Sequence, residues 1–312
     1  MAVRRVIGSR GSPLALAQSR LVAGLLAEAA GERADAFPIE SFVTSGDRIN
    51  DRRLLEAGGK GLFTKELDEA LLDGRIDLAV HSMKDLPTQL PEGVVLGAVP
   101  AREDPRDAFL SIKAHDLKSL PEGAVVGTAS LRRQAQALHL RPDLKIVTLR
   151  GSVGTRLKKL EAGEIDATFL ALAGLTRLGL AAHATTLVDA AQMPPAPGQG
   201  ALAVTCRADD AQTRALLARI TMPAIETAVA AERAFLAALD GSCRTPIAAL
   251  ARIEDGALFF RGEVLTPDGT RCWRRSETIA ANGDAAALGD RLGRAIRAEA
   301  GDAFILQTGQ GW

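Results

Sequence analysis

The sequence predicts an α/β protein: two similar doubly wound domains, followed by a smaller α+β domain with an antiparallel sheet. Three observations predict it. Strand and helix patterns alternate up to about residue 200, which calls for parallel or mixed sheets covered on both faces. Two short patterns occur twice in the same order. Val6-Ile7-Gly8-Ser9 returns as Val125-Val126-Gly127-Thr128 before a Ser-led helix, and Gly74-Arg75-Ile76-Asp77 returns as Gly163-Glu164-Ile165-Asp166 before an apolar strand. From about Met222 the alternation gives way to a long helix, a hairpin and a final helix.

Taken in order, residues 3–8 read as a strand. Ser12-Pro13 opens a helix, with Ser at the cap and Pro in the first turn. Leu14, Ala17, Leu21 and Leu25 follow at helical spacing. Residues 39–44 form a second strand. Residues 45–61 hold four glycines among many charges and read as a mobile loop or lid. A helix over 63–72 and a buried strand over 76–80 follow. Residues 99–105 and the run P-P-A-P-G-Q-G at 194–200 read as crossings between domains, and the strand-like 201–206 returns the chain to the first. The expected domains are therefore 1–99 with 200–218, then 100–199, then 219–312. In the last, a helix carrying Ile225, Val229, Phe235, Leu236 and Leu239 stops near Gly241. Two strands flank the turn Pro267-Asp268-Gly269-Thr270, and a helix fills 285–299.

Composition narrows the function. Thirty-eight Lys and Arg balance 38 Asp and Glu, so no overall field favours nucleic acid. With no Tyr, 9 Phe and 2 Trp, stacking platforms for single strands are scarce. Cys206, Cys243 and Cys272 form no CxxC pair, and the four histidines lack metal-ligand spacing. A reducing compartment and no metal are expected. The start Met-Ala-Val-Arg-Arg lacks a signal peptide's apolar run, and no stretch reaches about 18 apolar residues. The expectation is a cytoplasmic protein with no nucleic-acid or membrane partner. Nothing demands more than a monomer.

Three signals carry chemistry. The first is His81-Ser82-Met83-Lys84-Asp85-Leu86-Pro87, directly after an apolar strand. It is either a solvated loop with a Lys84–Asp85 pair or a charged cluster at the mouth of a cleft. The second is a set of arginines just after strands or at helix starts: Arg10, Arg132, Arg133, Arg150, Arg156 and Arg177. Helix N-termini favour anions, and each guanidinium fork fits a carboxylate. Six at equivalent places on two repeated domains point to a polyanion, phosphate or carboxylate. With two such domains side by side, the cleft between them is the natural site. Gly58-Gly59-Lys60-Gly61 and Gly8-Ser9-Arg10-Gly11 lack the spacings of nucleotide-binding loops. The third signal is Cys243, between Gly241 and Pro246 and beside Arg244, which would favour the thiolate. A small buried residue is the alternative.

Taken together these stretches resemble the porphobilinogen deaminase family along nearly the whole chain. The matches are Ser9-Arg10-Gly11-Ser12-Pro13-Leu14-Ala15, Thr44-Ser45-Gly46-Asp47, 58–63, 81–87, 127–134, 150–157, Pro197-Gly198-Gln199-Gly200 and Gly241-Ser242-Cys243. Each is short, and their order and spacing make them specific. The resemblance implies two periplasmic-binding-protein-like domains plus a third that carries the cofactor cysteine. It implies a dipyrromethane primer bonded through Cys243. Four porphobilinogen units would join head to tail, each losing ammonia, and water would release hydroxymethylbilane to the next enzyme of the pathway.

The residue chemistry suits that reaction. A growing chain of porphobilinogen is a polycarboxylate, which Arg10, Ser12, Lys84, Arg132, Arg133, Arg150, Arg156 and Arg177 would bind. Loss of ammonia leaves a cation, which the Asp85 carboxylate would stabilise. Lys60, His81, Ser82, Thr128, Ser130, Ser152 and Gln199 are secondary contacts. Three positions depart from the family: Glu56 where Lys is frequent, Ser242 beside the cysteine where Gly is commoner, and Ser152 where Asn is frequent. Glu56 weakens the case for anion binding by the loop. Two rival readings remain. A non-enzymatic two-lobed binder of a polycarboxylate leaves the third domain unexplained, and a cysteine hydrolase leaves Asp85 and the arginines idle.

Overall fold

A computed structural model describes residues 4–48, 61–240 and 245–301. Most of the expected loop, including Glu56 and Lys60, lies outside the described residues, as do Ser242 and Cys243. In chain order the elements begin with β1 (Ile7–Arg10), α1 (Pro13–Ala30), β2 (Ile39–Phe42), α2 (Ser45–Arg48), α3 (Lys65–Leu72), β3 (Leu78–Ser82) and β4 (Val94–Ala98). Then come β5 (Asp107–Ser111), β6 (Val125–Gly127), α4 (Leu131–Leu140), β7 (Lys145–Val147), α5 (Val153–Glu161), β8 (Ala167–Ala171), α6 (Leu172–Arg177) and β9 (Thr186–Leu187). The rest are β10 (Leu202–Arg207), α7 (Ala211–Ala218), α8 (Pro223–Ala238), β11 (Ile247–Glu254), β12 (Ala257–Leu265), β13 (Cys272–Ala280) and α9 (Ala285–Ala300).

Contacts gather the chain into two compact units. The first holds 4–48, 61–103 and 200–226, and the second the other described residues. The first unit's sheet runs β2-β1-β3-β10-β4, and the second unit's runs β7-β6-β8-β5-β9. The plan is the same in both. Three parallel strands come first, and the next strand is antiparallel to them. The repeated sequence patterns thus mark repeated topology. Both are mixed sheets with packed residues on both faces. Alternate residues of β3 feed opposite faces. Leu78 and Val80 pack with α1 residues Val22 and Leu26, while Ala79 joins Leu67 and Leu71 of α3. In the second unit Phe109 meets Phe169 edge-on at 5.6 Å on one face, and Ala108 and Leu110 meet Leu157 and Leu160 on the other. No helix among the described residues is long and apolar enough to cross a membrane.

The small antiparallel sheet runs β11-β12-β13. Its first strand is an addition to the two that the turn at 267–270 signals. Ile247-Ala248-Ala249-Leu250-Ala251 is apolar without alternation, because four of the five are buried, so period two does not reveal it. Helices α8 and α9 cover this sheet around Phe235, Phe260, Leu288, Leu292 and Ile296. They meet backbone to backbone at Gly289, where a Cβ would stand 2.0 Å from the Ala231 carbonyl oxygen. Alanine is the better helix former by about 1 kcal/mol, but here the clash decides the sign. Gly289→Ala should destabilise the protein by about 1–3 kcal/mol, read as a lower urea midpoint. An unchanged midpoint would show that the two helices can separate without penalty.

Candidate functional site

Candidate residues fall into two groups, one within each unit. In the first unit they line an open recess with Arg10, Ser12, Gln18, Phe63, Thr64, His81, Ser82 and Asp85 on its wall. Arg10 ends β1, and Ser12 caps α1 by accepting from the Ala15 N–H at 3.3 Å. Strand β3 runs two residues further than its apolar stretch. His81 and Ser82 are therefore strand residues rather than part of a following loop, and the turn begins only at Met83. Met83 is buried, which pins the turn, while Asp85 is exposed at its end and Lys84 is half-buried beside it. Ser82 Oγ accepts from Gln18 Nε2 at 2.8 Å.

Arg10 is held by two contacts that its sequence neighbours do not reveal. Its guanidinium pairs with Asp47, with Nε 3.2 Å from Oδ2, and lies 4.1 Å from the centre of the Phe63 ring. Burial would raise the Asp47 carboxyl. The Arg10 and Thr44 hydrogen bonds outweigh it and hold the group below the usual range.

In the second unit Asp107 opens β5 with no solvent exposure. Arg132 Nη1 reaches its Oδ2 and Arg133 Nη2 its Oδ1, each at 2.8 Å. Gln199 Nε2 also donates to Oδ1, at 2.8 Å. Burial would raise this carboxyl as well, but the two guanidiniums hold it far below the ordinary carboxylate range. Arg132 and Arg133 are themselves buried, so the expectation that both serve ligand carboxylates meets an internal competitor. What each retains is a buried Nε–H without a partner. Arg156 lies in the first turn of α5, its Nε donating to the Gly151 carbonyl at 3.0 Å. Burial first, then the charges of Arg133 and Arg150, pull its pKa down to about 10. Gly151 at φ +108° supplies a backbone conformation there that L side chains rarely adopt. Arg177 stands at the last position of α6, not at a helix start.

Three predicted contacts double as helix caps. Ser12, Ser130 and Ser152 accept from the backbone N–H groups of Ala15, Arg133 and Thr155. Thr128 Oγ1 accepts from the Ser130 N–H at 3.1 Å. The first turns of α1, α4 and α5 contain no acidic residue, whereas α3 has Glu66 and Asp68 there. The positive ends of those three helices thus remain available to an external anion. Within the second unit, three crowded guanidiniums and the ends of α4 and α5 suit a ligand with several carboxylates. Sequence reasoning missed Asp107, Asp47 and Phe63 as holders of the arginines. The available signal was an aspartate opening an otherwise apolar strand, Asp107-Ala108-Phe109-Leu110.

The chain matches a family described as "Porphobilinogen deaminase, dipyromethane cofactor binding domain" over residues 6–215, and its C-terminal domain over 226–298. It is 56% identical to a porphobilinogen deaminase of Caulobacter sp. over 310 residues, covering 96% of this chain and 97% of that one. Relatives of the same name from Caulobacter vibrioides and Phenylobacterium zucineum are 55% and 54% identical, each over 96% of this chain and covering 97% and 98% of theirs. Among solved structures, a periplasmic substrate-binding protein of an ABC transporter from Coxiella burnetii is 18% identical, with a TM-score of 0.43 over 73% of this chain and 96% of that one.

His81 carries a pH dependence. Burial first, and then the nearby Arg10 charge, lower its pKa from 6.5 to about 4. The unfolded chain therefore binds this proton more tightly than the folded one. The stability contribution is complete above pH 6.5 and is lost as pH falls toward 4. Asp68, raised by burial to about 6, acts in the opposite sense, losing its contribution as pH rises through 6. Comparison with His81→Gln removes that background. From pH 7 to 4 the wild type should lose on the order of 3 kcal/mol more stability than the variant in urea unfolding. Parallel curves would count against a buried, neutral His81.

Proposed function

We propose a role for each of these side chains in one reaction. The chain belongs to the porphobilinogen deaminase family, and its activity is that of a hydroxymethylbilane synthase with a dipyrromethane cofactor. It joins four porphobilinogen molecules into a linear tetrapyrrole with loss of ammonia. The observation that carries the assignment of residues is the set of crowded guanidiniums around Arg156, beside helix ends free of acids.

That donor set fits a dipyrromethane, whose acetate and propionate groups are anions that crowded guanidiniums would bind. When bound, the cofactor supplies the pyrrole carbon on which the chain starts. Arg150, Arg156 and Arg177, with the Nε–H groups of Arg132 and Arg133, hold carboxylates of the cofactor and of the growing chain. Arg10, with Ser12 and Lys84, receives a substrate carboxylate in the first unit's recess. Asp47 is its partner until then. Asp85, exposed at the recess wall, accepts from pyrrole N–H groups. Its charge opposes the positive charge that grows on substrate as ammonia leaves, at about 3 kcal/mol for each such bond. Thr128, Ser130, Ser152, His81, Ser82 and Gln199 orient these groups through the contacts described above. Cys243 anchors the cofactor and Lys60 is a secondary contact of the ligand. Both are family-based assignments. We further place the enzyme in the cytoplasm as a monomer that hands its product to the following enzyme of the pathway.

Two measurements test this. The intact mass of purified protein should exceed the chain mass by one dipyrromethane, and Cys243→Ser should abolish the excess. An active protein of unmodified mass would sink the assignment. Asp85→Asn should keep the cofactor and the melting temperature while turnover falls at least about 100-fold. Near-normal turnover would remove Asp85 from its role.

A further inference from the structure

A buried polar chain links the small C-terminal sheet to the helix that carries Arg132 and Arg133. Gln136, one turn beyond Arg132 on α4, is 2% exposed, and each of its side-chain polar atoms has a partner. Its oxygen accepts from Arg132 Nη1 at 3.0 Å. Its amide nitrogen donates to the Pro194 carbonyl at 2.9 Å and to Glu263 Oε1 at 2.7 Å. Glu263 lies on β12 with no exposure, and its other oxygen accepts from Arg274 Nε at 2.7 Å. Glu263 pairs in register with Ala248 of β11, the strand that begins four residues after Cys243.

We propose that Gln136 is a positioning residue, through which Glu263 on the C-terminal sheet fixes the direction in which Arg132 presents its unpartnered Nε–H. Four considerations support the assignment, which rests on the carboxylate-binding reading of the arginines. Among the buried charged members, Asp107 and Glu263 balance Arg132 and Arg133, so the chain is electrically closed without a ligand. A neutral amide with two donors and one acceptor is the side chain that can bridge a guanidinium, a carbonyl and a carboxylate together. Apart from the Nε–H groups of Arg132 and Arg133, the buried side-chain polar atoms of the network are satisfied, and such networks specify a single arrangement rather than add much stability. Finally, α4 has other attachments to the same sheet. His139 Nδ1 lies 2.8 Å from the Gly269 oxygen, and Gln134 donates to Pro267 at 3.2 Å. Docking of the helix therefore does not rest on Gln136 alone, and of the three acceptors that hold Arg132 Nη1 (Asp107 at 2.8 Å, Pro194 O at 3.1 Å and Gln136 at 3.0 Å) Gln136 is the one that also bonds Glu263.

The test uses the loaded holoenzyme, with intact mass reporting the fraction that carries the primer and thermal melting reporting stability. Gln136→Leu should raise KM for porphobilinogen about tenfold and leave kcat within about twofold. Gln136→Glu keeps the acceptor for Arg132 but sets a carboxylate against Glu263, and should raise KM similarly. The double exchange Gln136→Glu with Glu263→Gln restores one donor facing one acceptor, and should recover most of the loss. A purely structural role predicts lower melting temperatures with KM unchanged, and that result overturns the proposal. So does an exchange that recovers nothing, which stays decisive even if Gln136→Leu fails to fold. Arg150→Leu in the same assay separates the two readings. A raised KM there with an unchanged one in Gln136→Leu rejects only the relay, whereas an unchanged KM in Arg150→Leu rejects the carboxylate reading beneath it.

Discussion

Asp107 is a fully buried carboxylate at the first position of β5, and the buried arginines of the second unit are arranged around it. Alone, such a charge would be costly to bury. It is tolerated because two guanidiniums and one amide divide its two oxygens among them. The converse also holds. Arg132 and Arg133 occupy the first turn of α4, the positive end of the helix, where cations are locally unfavourable. The anion that offsets them comes from a strand 25 residues earlier. Each charge in this cluster is tolerable only because the others are in place.

That dependence explains what could be read in the sequence. The serines that start helices at 12 and 130 were legible because capping is local, while the cap at Ser152 was not read. The return of residues 202–207 to the first sheet was legible from a Pro/Gly-rich crossing followed by an apolar run. The internal repeat was legible at two short patterns and proves to be a repeat of strand order. The holders of the arginines were not legible. Asp47 lies 37 residues from Arg10 and Asp107 lies 25 from Arg132, distances across which no periodicity pairs one charge with another. His81 and Ser82 read as loop because they are polar, yet they complete a strand, since Thr205 and Gln18 supply the partners that a buried polar group requires. Arg177 read as a helix start, but α6 follows β8 so closely that six residues bring it to the helix end.

The helices that face the arginines share an economy of charge. Ser caps satisfy single N–H groups without adding negative charge, and the first turns of α1, α4 and α5 carry no acid. A carboxylate there would stabilise each helix by a few tenths of a kcal/mol to about 1. It would also compete with any acidic ligand. At α3 the first turn does carry acids, and there Glu66 binds the Ser45 N–H and hydroxyl.

Strand β10 has a consequence for the order in which the protein can be built. It lies between β3 and β4 and pairs with both, and β4 has no other neighbour in the sheet. The 96 residues 104–199 separate it from the segment it completes. During synthesis at roughly 5–20 residues per second, β3 would wait on the order of 5–20 s with an unpaired edge. Apolar residues Leu78 and Val80 would stand beside that open ladder, a template for pairing with another chain. The five strands of the second unit's β7-β6-β8-β5-β9 sheet all lie within 107–187 and need no such wait. The sheet made later can therefore be completed first, and the earlier one keeps an open edge at β3 until β10 has been made.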